Sequence, residues 1–266
     1  MIDAHPDVAI PPETGFLRLG AQFTGTGHEL GHQFVETITA FPTWPDFGIP
    51  KETFRQIIQR LEPFSVSDGY RAFYRAYAER FGKPRWGDKT PMSCLHLDTI
   101  KTVLPEAHFI HLIRDGRDVA LSSRQSWFSA GPSIEVHAEQ WARCVSTARA
   151  QGAGCRHYLE VRFEDLIRDP ASVLAEVCRF VSLPYTSQML NYYRGVPVRL
   201  AEHQDRLGSD GTVMVSHATR LRQQALTLEP PQRSRIQAWK HTMDRDERAR
   251  FECVAGDLLQ ELGYDV

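Results

Sequence analysis

The sequence is poor in the features that mark secreted, membrane-spanning or nucleic-acid-binding chains. Its 266 residues include five cysteines, an odd number without any Cys-x-x-Cys pair, which argues against a disulfide framework or a zinc ribbon. No apolar run reaches the ~18–20 residues of a membrane span, and the first residues lack the basic and apolar regions of a signal peptide. The net charge of −2 provides no overall positive field for nucleic acid or an anionic membrane. We therefore expect a cytoplasmic protein with no membrane span and no nucleic-acid partner.

Helical and strand-like patterns alternate along the chain, which is typical of an α/β domain. Apolar runs at 107–113 and 158–163 predict two strands, the first of them buried and parallel to its neighbours. Helical patterns lie at 118–127, 134–151, 230–243 and 244–262. We expect residues 1–266 to form a single domain with a central parallel sheet flanked by helices.

Two further segments differ in their patterning. Four aromatic residues stand at helical spacing, which predicts that they pack in the core: Tyr70, Phe73, Tyr74 and Tyr77. Residues 194–227 are instead polar, basic in places and weakly patterned, which predicts a mobile loop or lid.

The strongest local signal is the strand–turn–helix pattern around Arg114. The strand delivers Arg114 at its carboxyl end, where open α/β sheets bind ligands. The helix that follows offers free N–H groups to an anion, and Ser122 lies about two turns further on. A guanidinium group at this place can grip phosphate oxygens with two hydrogen bonds. The residue types alone leave a second interpretation equally open, a surface turn in which Asp115, Arg117 and Asp118 pair locally.

This segment resembles the 3′-phosphate-binding segment of sulfotransferases that use 3′-phosphoadenosine-5′-phosphosulfate (PAPS). In that family an arginine at a strand end and a serine eight residues later hold the 3′-phosphate, and Arg114 and Ser122 match them. Three other elements resemble the family in the same order, namely Trp-Gly-Asp-Lys-Thr-Pro at 86–91, the Arg-Phe-Glu-Asp-Leu element at 162–166, and Trp-Lys at 239–240 with Leu-Gly-Tyr at 262–264. The resemblance implies a P-loop NTPase-like fold and transfer of a sulfuryl group from PAPS, with 3′-phosphoadenosine-5′-phosphate (PAP) as product and no metal required.

The resemblance also implies roles for individual residues. Lys89 would lie near the transferring group, and Glu13 matches the catalytic base of bacterial and heparan-type members. In the cytosolic small-molecule branch a histidine comes shortly after a Lys-Thr pair. Here Pro91 follows Lys89-Thr90 and that histidine is absent, which favours Glu13. Arg233 and Ser234 would add contacts to the 3′-phosphate. Trp86 and Phe163 are expected to pack against neighbouring side chains, and the resemblance leaves open that either ring stacks on adenine, for which Phe163 is the candidate. The acceptor would be a hydroxyl or amine of a small molecule, a lipid or a carbohydrate.

The sequence departs from the family pattern at its beginning. The family opens with a strand and a Pro-x-Ser-Gly-Thr-Thr loop that cradles the 5′-phosphosulfate, and Met1 aligns with the middle of the helix after that loop. We expect either a native protein longer by roughly 20 residues or a truncated remnant. In either case we expect the chain as given to bind PAPS weakly and to transfer slowly or not at all. The alternative is a non-catalytic 3′-phosphonucleotide-binding protein.

A different function is indicated by His28-Glu29-Leu30-Gly31-His32. A His-Glu-x-x-His motif on a helix places two histidines on one face for zinc, as in metallopeptidases. Residues 35–37 do not continue the extended form of the motif, and glycines crowd the segment. We therefore interpret this segment as a glycine-rich loop on the substrate side, with a zinc peptidase as the alternative.

Overall fold

The structure is a computed structural model that describes residues 1–124, 133–208 and 210–266. Its helices are α1 (Gly27–Thr39), α2 (Lys51–Gln59), α3 (Val66–Glu79), α4 (Leu97–Val103), α5 (Gly116–Ser123), α6 (Ile134–Gly152), α7 (Phe163–Arg168), α8 (Pro170–Phe180), α9 (Val196–Leu200), α10 (His217–Gln224), α11 (Trp239–Thr242) and α12 (Arg245–Glu261). Its strands are β1 (Val8–Ala9), β2 (Arg85–Trp86), β3 (Phe109–Ile113), β4 (Tyr158–Arg162), β5 (Arg206–Leu207) and β6 (Val213–Val215). Among the described residues, no helix combines the length and the apolar composition that crossing a bilayer requires.

The chain divides into two compact units. The first unit comprises Met1–Ala107 and Thr186–Pro230, and the second comprises His108–Tyr185 and Pro231–Val266. Each unit contains a short parallel strand pair, β1–β2 in the first and β3–β4 in the second. The assignment of 1–266 as a single domain stays a prediction.

The core of the first unit is aromatic. The four aromatic residues predicted to pack in the core lie on α3 and are fully buried, which confirms that prediction. Phenylalanines from the surrounding segments meet them edge to face, for example Phe16 and Phe73 with ring centroids 5.0 Å apart. Ser65 caps the start of helix α3, and its hydroxyl accepts a hydrogen bond from the Asp68 amide at 3.1 Å. The burial of this one helix face therefore fixes the centre of the unit.

The interpretation of residues 28–32 as a glycine-rich loop is wrong, because they lie within helix α1. Two of the glycines, Gly25 and Gly27, have positive φ angles and form the approach to the helix. Gly31 instead packs against α2, where an added Cβ would meet Ile58 at 3.4 Å. Glycine at that position permits a close helix–helix approach, which offsets its low helix propensity.

The prediction of a loop over residues 194–227 is wrong where the segment forms regular structure, and its role as a mobile lid stays a prediction. The segment contains α9, the antiparallel pair β5–β6 and α10, and Ser209 within it lies outside the described residues. Arg220 on α10 is buried and pairs through both its terminal nitrogens with Asp46, at 2.8 and 2.6 Å. The segment is thus anchored by a buried ion pair rather than by a hydrophobic stripe, and so its pattern looked weak.

The second unit is built on the parallel pair β3–β4, in register from Phe109 opposite Tyr158 to Ile113 opposite Arg162. Both strands were predicted, but the prediction that the first is buried is wrong: only Ile113 is buried in β3, and Leu112 is 49% exposed. The sheet has two strands in the described residues, and its apolar core lies instead where Ile113 meets α5, α6 and α12. The part of the predicted helix at 125–127 lies outside the described residues.

The predicted helix at 230–243 is wrong, whereas α12 confirms the helix predicted at 244–262. The first segment holds a 3₁₀ turn at Arg233–Arg235 and the short helix α11. Between them Gln237 has a φ of 56°, and its amide donates to the Asp118 carboxylate at 3.0 Å. A side chain from α5 thus takes up the amides that a continuous helix would use internally.

Candidate active site

Arg114 follows β3 directly and lies in a part-buried setting in the second unit. Its Nη2 donates to the Arg235 carbonyl at 2.8 Å and lies 3.6 Å from the Asp118 carboxylate. Its guanidinium carbon lies 4.6 Å from the centre of the Phe163 ring. Its side chain is 14% exposed, and burial lowers its pKa. The Nε is buried and has no hydrogen-bond partner in the described parts of the chain.

This arrangement fits an oxyanion. A buried N–H without a partner is unfavourable, and a phosphate oxygen would satisfy it. The positive charge of Arg235 also lowers the pKa of Arg114. An anion bound by Arg114 would therefore be attracted by both guanidinium groups. Arg235 was not among the residues predicted to contact the phosphate, although it follows Arg233 and Ser234 in the same 3₁₀ turn. A position two residues further along a turn can face a different direction, and the sequence pattern gave no means to choose between them.

The other residues predicted to contact the nucleotide lie at several positions in the second unit. Arg233 and Ser234 are exposed, and Arg233 donates to the Arg168 carbonyl at 3.2 Å. Ser122 is exposed on α5, four residues after Asp118 and so on the same helix face, and makes no hydrogen bond to any described residue. Phe163 contacts the guanidinium of Arg114 through its ring face.

A buried ionic network lies directly behind Arg114. Arg117 is 1% exposed and donates to both oxygens of Asp115, at 3.0 and 2.8 Å, and to Glu252 at 2.6 Å. Its guanidinium carbon lies 3.7 Å from the centre of the Trp239 ring, and the indole N–H of Trp239 donates to Asp115 at 3.0 Å. The predicted local pairing of Asp115 and Arg117 is thus present, but inside the protein and not on a surface turn.

Glu13 and Lys89 meet in the first unit. The Lys89 Nζ donates to the Glu13 Oε1 at 2.5 Å, and both side chains are open to solvent, 60% exposed for Lys89 and 42% for Glu13. Their chain neighbours are joined as well, since the Thr14 hydroxyl donates to Asp88 at 2.6 Å and the Tyr74 hydroxyl donates to it at 2.9 Å. Burial raises the pKa of the Asp88 carboxyl. A carboxylate and an ammonium group are therefore held together at an accessible place.

The residues of the His-Glu-x-x-His motif form only part of a zinc site. His28 and His32 lie one turn apart on α1 and line a cavity of about 550 Å³ in the first unit. The Nε2 of His28 lies 3.3 Å from the Glu62 carboxylate, which lines the same cavity. Within the part of the chain that the structure describes, no three His, Cys, Asp or Glu side chains converge to hold a metal ion. The motif therefore provides two neighbouring imidazoles without a third ligand.

Comparison with known proteins gives a family match over most of the chain. The model of the Sulfotransferase family matches residues 1–187. The chain is 24% identical over 279 residues to protein-tyrosine sulfotransferase 1 of Danio rerio, an alignment covering 100% of this chain and 67% of the relative. It is 27% identical over 180 residues to carbohydrate sulfotransferase 5 of Mus musculus, over 58% of this chain and 41% of the relative. The chain thus spans about two thirds or less of the length of these curated relatives.

A solved structure shares the fold. The sulfotransferase domain from the curacin biosynthetic pathway gives a TM-score of 0.57, with 100% of this chain and 92% of that domain covered at 14% sequence identity. A likeness at this identity shows the fold alone. It confirms the expected α/β sulfotransferase fold.

Proposed function

Because the chain belongs to the sulfotransferase family, we propose that it transfers a sulfuryl group from PAPS to a hydroxyl or amine of an acceptor. The observation that carries this proposal is the contact between Glu13 and Lys89 at 2.5 Å. Sulfuryl transfer requires a group that accepts the acceptor proton and a group that neutralises negative charge on the sulfonate. A carboxylate beside an ammonium, both accessible, provides the two functions at one place.

In the proposed reaction Glu13 is the general base. The Glu13 carboxylate accepts the proton of the acceptor hydroxyl or amine as that atom attacks the sulfur. The new bond joins the acceptor oxygen or nitrogen to sulfur, the bond from sulfur to the bridging phosphate oxygen breaks, and PAP leaves with that electron pair. Lys89 donates hydrogen bonds to the sulfonate or bridging oxygens, where charge develops. The exposed ion pair is weak, so substrate can separate its two members at small cost.

In the second unit, we propose that Arg114 binds the 3′-phosphate of the nucleotide. Its buried Nε is the donor that a phosphate oxygen would satisfy, and Arg235 adds positive charge. The exposed hydroxyl of Ser122 and the side chains of Arg233 and Ser234 are proposed as further contacts. Phe163 keeps the guanidinium plane in place from one face, and its proposed stacking on adenine uses the same ring.

The acceptor class is proposed from chemistry and from the relatives' names. One relative is named for protein tyrosine and another for carbohydrate, and both acceptors present hydroxyl groups. The proposed acceptor of this chain is likewise a hydroxyl or amine of a small molecule, a lipid or a carbohydrate. A carboxylate base serves all of these, because each must lose one proton as it attacks.

The nucleotide part of the proposal is tested by calorimetric titration with PAP. We expect saturable binding to the wild-type chain and binding weakened by about 10- to 100-fold in Arg114→Ala, because hydrogen bonds to charged groups contribute about 1.5–3 kcal/mol. Arg168→Ala is the matched control, since Arg168 is an exposed arginine of the same unit that pairs with Asp165. A folded wild-type chain that does not bind PAP would contradict the assignment of Arg114.

The transfer part is tested separately with PAPS. Sulfated product is measured by mass spectrometry with phenolic, sugar and amine acceptors, using the wild-type chain and Glu13→Gln. Product that depends on Glu13 supports the proposal. Binding of PAP without any transfer would favour the second function, a non-catalytic 3′-phosphonucleotide-binding protein.

A further inference from the structure

A group of charged residues in the first unit lies outside the roles described so far. Its centre is Asp46, which is 2% exposed. The Asp46 carboxylate accepts both terminal nitrogens of Arg220, at 2.8 and 2.6 Å, and the backbone amide of Gln204 at 2.8 Å. With three hydrogen bonds and one fully engaged guanidinium partner, this carboxylate is already neutralised.

A second arginine, Arg206, shares the carboxylate of Asp46 with Arg220 as an ion pair. The nearest Nη of Arg206 lies 3.8 Å from Asp46, beyond hydrogen-bonding distance. Its side chain is 18% exposed and donates no hydrogen bond to any residue that the structure describes. The group of Asp46, Arg220 and Arg206 therefore carries one positive charge in excess.

His203 adds an unsatisfied nitrogen to the same group. Its Nδ1 is buried and has no hydrogen-bond partner among residues 1–124, 133–208 and 210–266. Burial, aided by the charge of Arg220, lowers the pKa of His203 to about 4, so the imidazole is neutral at neutral pH. A neutral imidazole can donate one hydrogen bond to an anion without adding charge.

The group around Asp46 is hydrogen-bonded to the segment that carries Glu13. The Asp46 amide donates to the Thr43 carbonyl at 3.0 Å, and the Thr43 hydroxyl donates to the Thr14 carbonyl at 3.2 Å.

The directions of two pKa shifts agree with this proximity. The charge of Lys89 is among the causes that lower the pKa of His203. The charge of Glu13 partly offsets the lowering of the Arg206 pKa by burial. Glu13 and Arg206 nevertheless form no ion pair within 4 Å. The excess positive charge of the group therefore lies near Glu13 but is not paired with the Glu13 carboxylate.

We propose that Arg206 and His203 bind a carboxylate group of the acceptor, so that the preferred acceptor is a hydroxy or amino acid, or a peptide side chain flanked by a carboxylate, and not a neutral alcohol. This inference rests on the proposed function, since it assigns an acceptor to the Glu13–Lys89 site. One excess positive charge is balanced by a singly charged carboxylate, whereas a phosphate dianion would leave net negative charge beside Glu13. The carboxylate would also accept a hydrogen bond from Arg206, which Asp46 at 3.8 Å does not.

The test compares acids with their methyl esters in a binding measurement that requires no turnover. 4-Hydroxyphenylacetate, 4-hydroxybenzoate and N-acetyltyrosine are titrated calorimetrically beside the corresponding methyl esters. We expect at least one acid to bind the wild-type chain about tenfold or more tightly than its ester. In Arg206→Gln the acid-to-ester ratio should fall to about one, and His203→Ala should lower it several-fold. Arg222→Gln is the matched control, because Arg222 is an exposed arginine on α10 whose side chain donates to the Thr219 hydroxyl and lies outside the proposed group.

The ratio separates a binding role from a structural one, because a misfolded variant would lose acid and ester binding alike. The inference would be overturned if no acid binds the wild-type chain, or if every acid binds it with the same affinity as its methyl ester. A ratio unchanged in both variants would also overturn it. Weaker PAP binding in Arg206→Gln, with acid binding intact, would assign the anion to the donor and overturn it as well. Failure of the proposed function has a different signature, namely no transfer from PAPS to any acceptor, with the acid-to-ester ratio still decisive for this site.

Discussion

The charged side chains of the Arg114 region in the second unit are buried, whereas those of the Glu13–Lys89 region in the first unit are exposed. Behind Arg114, the guanidinium of Arg117 is 1% exposed and engaged by two carboxylates and an indole ring. In the first unit, Lys89 is 60% exposed and forms an ion pair with Glu13, which is 42% exposed. One set of charges is fixed by the fold, and the other is held by a contact that solvent can reach.

This difference corresponds to two tasks. A group that holds a phosphate works best when its position is set before the ligand arrives, because no ordering cost is then incurred on binding. A base and its neighbouring cation must instead exchange their mutual contact for contacts with the substrate. We infer that mutations in the two regions will separate stability from activity.

The largest effect is expected for Glu13→Gln. An amide cannot accept the acceptor proton, so the rate of transfer should fall by about 10²- to 10⁴-fold. Stability should change by less than about 1 kcal/mol, because the ion pair that is lost is exposed. The rate is measured under saturating PAPS, and PAP affinity should stay at the wild-type value. A variant that retains the full rate would exclude Glu13 as the base.

The opposite behaviour is expected for Arg117→Met. This change leaves the buried Asp115 without its guanidinium partner, and the free energy of unfolding should fall by about 3–5 kcal/mol. Urea denaturation followed by circular dichroism measures the loss. The double variant with Asp115→Asn should recover part of it, since the unpaired charge is then removed as well.

A matched exposed pair provides the control for that experiment. Arg168 and Asp165 are each more than half exposed and lie 3.2 Å apart in the same unit. Arg168→Met should therefore cost no more than about 1 kcal/mol. Equal losses in the two methionine variants would show that the buried network does not stabilise the second unit more than a surface pair does.

Much of the architecture could be predicted from the sequence because it follows from local pattern. Strand β4, helices α6 and α12 and the aromatic face of α3 each have a clear period of apolar residues, and all were predicted. The Arg114 motif likewise placed a basic side chain at the end of a strand. Local pattern was sufficient wherever the partner of an element was simply the nearest hydrophobic core.

Pattern was insufficient wherever a distant polar partner decides the structure. Asp118 takes up amides that lie 119 and 121 residues further along the chain, and this interrupts the helix expected there. Asp46 and Arg220, 174 residues apart, anchor a segment that looked like a loop. Arg235 was not predicted as a site residue, because its position near Arg114 depends on the hydrogen bonds that Asp118 accepts from the amides of this segment. Single hydrogen-bonded pairs over such separations leave no periodic trace in a sequence.

Gly116 is a further residue whose role only the packing reveals. An added Cβ would lie 2.5 Å from the Trp141 ring and 2.8 Å from Phe251, in the core behind Arg114. Gly116→Ala should therefore lower the free energy of unfolding by about 1–3 kcal/mol through overpacking. Gly195→Ala is the control, because its nearest neighbour would be a carbonyl oxygen at 3.8 Å. A Gly116 variant as stable as this control would mean that the tight packing behind Arg114 relaxes without cost.

The smallest effect concerns Asp88, the half-buried residue beside Lys89, and it depends on pH. Burial raises the pKa of Asp88 in the folded chain, so between its unfolded value of about 3.9 and the folded value the native state binds more protons than the unfolded state. Stability from this group is greatest at low pH and declines as pH rises through that window. Asp88→Asn removes the titration, so the stability of the variant relative to wild type should increase over the same window.

We expect that relative change to be about 1 kcal/mol, the scale on which one buried hydrogen-bonded group acts. Urea midpoints measured between pH 4 and pH 8 provide the comparison, with the exposed Asp257→Asn as a control that should show no such trend. The side-chain amide introduced by Asp88→Asn can still accept from the Thr14 hydroxyl, so the Glu13–Lys89 contact should persist and transfer should fall less than in Glu13→Gln. A stability difference that decreases with pH would mean that the hydroxyl hydrogen bonds outweigh burial. The support beneath the transfer site would then resemble the ionic network of the second unit.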